Sequence, residues 1–97
     1  MNDDLLVGTI DEIAAQAQRI LNGIVPGAWC QPQEYDNRID CGVRQPDGNV
    51  AAEMIALEYA TEKGIRATGE RLFQRQKGIQ VPLQNEIWLP TLIKPAS

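Results

Sequence analysis

Val50-Ala51-Ala52-Glu53-Met54-Ile55-Ala56-Leu57-Glu58-Tyr59-Ala60-Thr61-Glu62-Lys63-Gly64 is the stretch on which the fold of this chain turns. Val50, Met54, Leu57 and Thr61 fall at helical spacing, and Ala51, Ala52, Ala56 and Ala60 are strong helix formers. The pattern predicts a helix over Val50–Lys63, closed by Gly64. The same residues carry a strand reading, in which Ile55, Leu57 and Tyr59 alternate onto one face. An element begins near Val50 either way, because Gln45-Pro46-Asp47-Gly48-Asn49 is a chain reversal: proline presets its own φ, and glycine or asparagine accepts a positive one.

Working back from that turn, residues 27–44 read as two short strands, 28–32 and 38–43, joined through the polar turn Glu34-Tyr35-Asp36-Asn37. In such a hairpin Cys30 and Cys41 come near one another across the strands, in a register that a loop longer than two residues leaves open. The N-terminal third holds the clearest element. Ile10, Ile13, Ala14, Ala17, Ile20, Leu21 and Ile24 form one apolar stripe of an amphipathic helix. Thr9 and Glu12 stand at the spacing of a capping box, Asp11 and Glu12 suit the positive end of the helix dipole, and Asn22-Gly23 tolerate a left-handed close before Pro26.

Beyond Gly64 the signals weaken, and the segment 65–77 reads equally as a short helix or as a turn between two strands. Residues 79–81 and 86–89, around Pro82-Leu83-Gln84-Asn85, read as a second hairpin, and the proline-bounded 91–97 as an extended tail. Trp29 and Trp88 fall in expected strands and are taken as core residues. The expected fold is therefore a single α+β domain over 1–90. It has one long N-terminal helix, a second helix and a small antiparallel sheet of about four short strands.

Composition narrows the chemistry. Of 97 residues 43% are hydrophobic and 23% charged, a balance that supports one packed core. There is no histidine, and Ser97 is the only serine. Serine–histidine and cysteine–histidine nucleophile pairs are thereby excluded, because the side chain that moves protons near neutral pH is missing. The carboxylate pairs Asp3/Asp4, Asp11/Glu12 and Glu58/Glu62 are explained by a chain end, a helix start and a solvated helix face. The glycines stand singly and build no phosphate-cradling loop, and Asp36, Asp40 and Asp47 lack the alternation of a calcium loop. The expectation is a chain with no catalytic residues, no metal and no cofactor. Cys30 and Cys41 are expected as half-buried thiols.

The formal charge of −4 conceals an uneven distribution. Residues 1–62 hold eleven acids against Arg19, Arg38 and Arg44, a balance of −8, whereas 63–97 hold six bases against Glu70 and Glu86, a balance of +4. Two surfaces are candidates for binding. Asp3, Asp4, Asp11, Glu12, Asp36, Asp40 and Asp47 would draw a partner protein with a basic surface. Lys63, Arg66, Arg71, Arg75 and Lys77, with Phe73 among them, would face an anion or a partner.

Ala60-Thr61-Glu62-Lys63-Gly64-Ile65 resembles the alanine, three residues, glycine, aliphatic order at the bend of a helix-turn-helix. It departs at Glu70, which stands where the second helix of that motif buries an aliphatic side chain, and Leu72 reaches that role only with two residues inserted. Three functions follow as expectations. The first is an acidic, non-catalytic protein-interaction module of the inhibitor or antidote kind that phages and mobile elements encode. The second is a DNA-binding regulator using 63–77, since local charge meets phosphates even on an acidic protein. The third is a homo-oligomeric subunit joining the acidic part of one copy to the basic part of the next. The acidic start Met1-Asn2-Asp3-Asp4 is unlike a leader, no apolar run reaches membrane length, and the expected location is the cytoplasm.

Overall fold

A computed structural model describes residues 5–87. The fold is α+β: helix α1 (Ile10–Asn22), strands β1 (Trp29–Gln33), β2 (Arg38–Arg44) and β3 (Val50–Ala56), helix α2 (Glu62–Gln76) and strand β4 (Glu86–Ile87). Short 3-10 turns occupy Glu34–Asp36 and Leu57–Tyr59. The four strands form one antiparallel sheet in the order β1-β2-β3-β4. Asp3, Asp4, Trp88 and the expected tail 91–97 lie outside the described residues.

Thr9 opens α1 as its spacing predicts. Its hydroxyl accepts the Glu12 N–H at 3.1 Å while the Glu12 carboxylate accepts the Thr9 N–H at 2.9 Å. The close of α1 differs from expectation. Gly23 stays right-handed, at φ −75°, because the chain tightens into a further turn in which Leu21 O accepts from Ile24 and Val25. The left-handed residue comes later, at Gly27 with φ +82°.

The helix expected over Val50–Lys63 is corrected. Val50–Ala56 is strand β3, and the helix begins only at Glu62. The 45–49 reversal is a β-hairpin turn, with Gly48 at φ +90°, and it delivers the chain directly alongside β2. Seven residue pairs then join β2 to β3, from Arg44↔Val50 to Arg38↔Ala56. That ladder outweighs an alanine preference worth only tenths of a kcal/mol per residue. Gly64 accordingly closes nothing: it lies in the first turn of α2, and its N–H caps onto the Thr61 hydroxyl at 2.9 Å. The open segment 65–77 is helical through Gln76.

The second hairpin is also corrected. Residues 79–81 form no strand, and β4 pairs instead with β3 through Ala52↔Ile87 and Glu53↔Glu86. After α2 the chain folds back on the helix end, where Gln74 O accepts from Ile79 N and the Arg75 guanidinium donates to Val81 O. Those backbone groups are used locally rather than in a ladder.

Both helices cover one face of the sheet. Ile39, Cys41 and Val43 of β2 and Ala51 and Ile55 of β3 alternate onto it, and meet Ile13, Ala14, Ala17 and Leu21 of α1 and Ile65 and Leu72 of α2. At Gly69 a methyl group would sit 3.1 Å from Leu21 and Ile24 side-chain carbons, so the missing side chain is what lets α2 approach α1. Trp29 is corrected too. It is half-buried on the opposite face, over Gly42, whose added Cβ would stand 3.0 Å from the ring. No helix of the described residues is long and apolar enough to cross a membrane.

Candidate functional site

The end of the sheet where β2 begins and β3 stops carries the most exposed aromatic side chains among the described residues. Chain reversal there uses two 3-10 turns rather than tight hairpin loops, because Asn37 takes the left-handed φ of 50° after Asp36 and Ala56 leads straight into Leu57. The turns are joined: Asn37 O accepts the Leu57 N–H at 3.0 Å. Each lifts one tyrosine off the fold, Tyr35 fully and Tyr59 to 69% of its surface. Glu34, Asp36, Glu58 and Glu62 are exposed on the same rim. Arg38, the guanidinium at this end of β2, is divided between Asp36 at 3.2 Å and buried Asp40 at 3.0 Å.

Tyr59 also lines a cleft of about 350 Å³ between β3 and α2, whose walls include Ile55, Ala67 and Arg71. Its floor holds an ion pair. Glu53 faces the helices beside Cys41 and is 1% exposed. Its carboxylate accepts from Arg71 Nε at 2.6 Å and Nη2 at 2.9 Å, from the Thr68 hydroxyl at 3.0 Å and from Gln84 N at 3.1 Å. The bond from Glu53 raises the Arg71 pKa, against an opposing push from its partial burial. With donors on both of its oxygens, this carboxylate is a strut between β3 and α2.

The basic residues singled out in the sequence share α2 and its end; Lys63, Arg66 and Lys77 are exposed, whereas Arg71 and Arg75 turn their charges inward. Arg66 pairs with Glu62 one turn back at 2.8 Å, and Arg71 is held by Glu53. Arg75 bonds Gln45 and Val81 O and lies 3.6 Å from Glu86. Lys77 sits 4.9 Å above the Phe73 ring, and Lys63 is in the first turn of α2. The helix-turn-helix geometry is absent from this segment: the residues before the bend are strand and 3-10 turn, so no first helix precedes α2 there.

The acidic set is dispersed. Asp11 and Glu12 stand at the start of α1, with Glu12 engaged in the cap. Asp40 is buried under Gln33 and Arg38, and Asp47 accepts from Asn49 in the opposite turn. Asp36 and Asp47 are separated by the length of β2, roughly 20 Å at a strand's rise per residue. Among the described members of the set, Asp36 and Asp40 are brought together through Arg38.

Sequence reasoning missed Tyr35, Tyr59 and Glu53. A large aromatic inside the polar turn Glu34-Tyr35-Asp36-Asn37 was the available signal for the first. The helical reading of Val50–Lys63 hid the other two. Among the described residues no cluster of three or more cysteine, aspartate or glutamate side chains has the makings of a metal site. No protein-family model, no curated protein and no solved structure matches this chain.

Proposed function

We propose that this chain is a non-catalytic protein-interaction module whose docking surface is the tyrosine-bearing rim, and whose partner presents basic side chains. The observation that carries the reading is the pairing of two outward tyrosines on hydrogen-bonded 3-10 turns among exposed carboxylates. Tyrosine supplies large contact area at little cost in side-chain entropy and is enriched among the residues that dominate binding energy. Glu34 and Glu58 add a negative field that steers a cationic surface toward those anchors. The missing histidine and the engagement of Glu53 and Asp40 in internal bonds support a role without chemistry. The DNA-binding alternative is weakened because Arg66, Arg71 and Arg75 already hold partners within the fold.

A photo-crosslinking amino acid placed singly at 35, 59 or, as control, 47 tests the proposal in lysate. Adducts to protein are expected from 35 and 59 alone, fading as salt rises from about 0.05 to about 0.5 M as screening shortens. Tyr35→Ala and Tyr59→Ala should each weaken capture about 30-fold, the equivalent of a 2 kcal/mol hot spot. Equal labelling from 47, or adducts indifferent to salt, would refute the assignment.

A further inference from the structure

We infer that Cys30 and Cys41 are a thiol pair built to close into a cross-strand disulfide, with a low-molecular-weight disulfide as the oxidant. The two residues face each other in the β1–β2 register, and their sulfur atoms are 3.2 Å apart. The Cys30 N–H points away from β2, donating to Gln18 Oε1 at 3.0 Å, so the pair occupies a non-hydrogen-bonded position of the ladder. Cα atoms at such positions are about 4.5 Å apart, inside the roughly 4.4–6.8 Å span that disulfides bridge. The sulfurs, at 3.2 Å, have about one ångström left to close to reach an S–S bond of roughly 2.0 Å.

Access gives the two thiols different tasks. Cys41 is fully enclosed by the core, whereas Cys30 is half-buried on the edge strand. The bond to Cys30, burial, and the nearby Asp40 and Glu53 all push the Cys41 pKa well up, so this thiol keeps its proton until a partner is presented to it. The Cys30 thiolate attacks one sulfur of the oxidant RSSR, forming a mixed disulfide and releasing RS⁻. The Cys41 sulfur then loses its proton and attacks Cys30 Sγ, and the second RS⁻ departs. The protein gives up two protons and two electrons, the oxidant's S–S bond is reduced, and two RSH result. The closed loop contains Glu34-Tyr35-Asp36, so the bond also fixes the turn that carries Tyr35, although the pairing itself does not depend on any role for that turn.

The full chain, equilibrated with graded mixtures of reduced and oxidised glutathione and quenched with an alkylating agent, provides the test. The expected product is a monomer lighter by two hydrogens that takes up no label even in denaturant. Trypsin cleaves after Arg38, between the two cysteines, so the digest should hold their peptides linked until reductant is added. Oxidation should raise the Tm on the order of 10 °C, as expected for a short closed loop in a domain of this size. Cys41→Ser should stop at a stable glutathione adduct on Cys30. Three results would overturn the inference: disulfide-linked dimers as the main product, a glutathione adduct that persists in the wild-type chain, or Cys41 still alkylated after the strongest oxidising mixture.

Discussion

Removing the positive partner of Glu53 is the perturbation that tests the architecture most directly. Arg71→Met keeps most of the aliphatic stem but deletes the guanidinium, and the Glu53 side chain, 2% exposed, is left with the Thr68 hydroxyl and Gln84 N–H alone. Breaking a buried pair from one side costs about 3–5 kcal/mol, because the remaining charge is neither solvated nor neutralised. The partial exposure of Arg71, 24% of its side chain, places the loss near the lower end of that range, about 3 kcal/mol. A domain of this size has roughly 5–15 kcal/mol in total, so the variant should still fold, with a Tm roughly 15 °C lower. The double variant Glu53→Met/Arg71→Met removes both charges and should recover most of the loss, ending within about 1–2 kcal/mol of the parent. Urea titrations followed by circular dichroism measure all three chains. A single variant costing under about 1 kcal/mol, or a double variant no better than the single, would refute the view that a buried carboxylate depends on Arg71.

Thr9→Ala removes one half of the capping box and should cost about 1 kcal/mol by the same titration, with helix α1 retained in the far-ultraviolet spectrum. Leu21→Ala empties a fully enclosed position between the two helices and should cost about 2–5 kcal/mol, more than any truncation on the exposed rim. Cys41 predicts a pH dependence of stability. Below its ordinary pKa of 9.0 the thiol is protonated in both states, whereas above it the unfolded thiol ionises and the folded one does not. Stability should therefore fall by about 1.4 kcal/mol per pH unit above that point, until the raised folded value is reached, and Cys41→Ala should remove that component of the slope.

The candidate rim was barely legible beforehand. Charge alone points to Asp36, which is exposed at that end of the sheet, but a helical reading hides Tyr59 and a polar loop hides Tyr35. Charge counting along the chain grouped Asp11, Asp36 and Asp47 because they precede residue 63, yet the sheet holds the latter two at opposite ends. The basic cluster is divided by the fold: Lys63, Arg66 and Lys77 are exposed. Arg71 and Arg75 are close on one helix, as spacing implies, but that helix turns them toward Glu53, Gln45 and Glu86, which lie far away in sequence.

Local sequence determined what local physics can decide. The Thr9–Glu12 cap, the apolar stripe of α1, the Gln45–Asn49 reversal and the Cys30–Cys41 hairpin all rest on interactions within a few residues or across one short loop. Tertiary structure decided the rest. Val50–Ala56 has a helix-forming composition and becomes a strand because β2 offers it a seven-pair ladder and the helices need a flat face to cover. Glu53, indistinguishable in sequence from a solvated glutamate, is enclosed with its oxygens bonded because α2 brings Thr68 and Arg71 to it, fifteen and eighteen residues further along the chain.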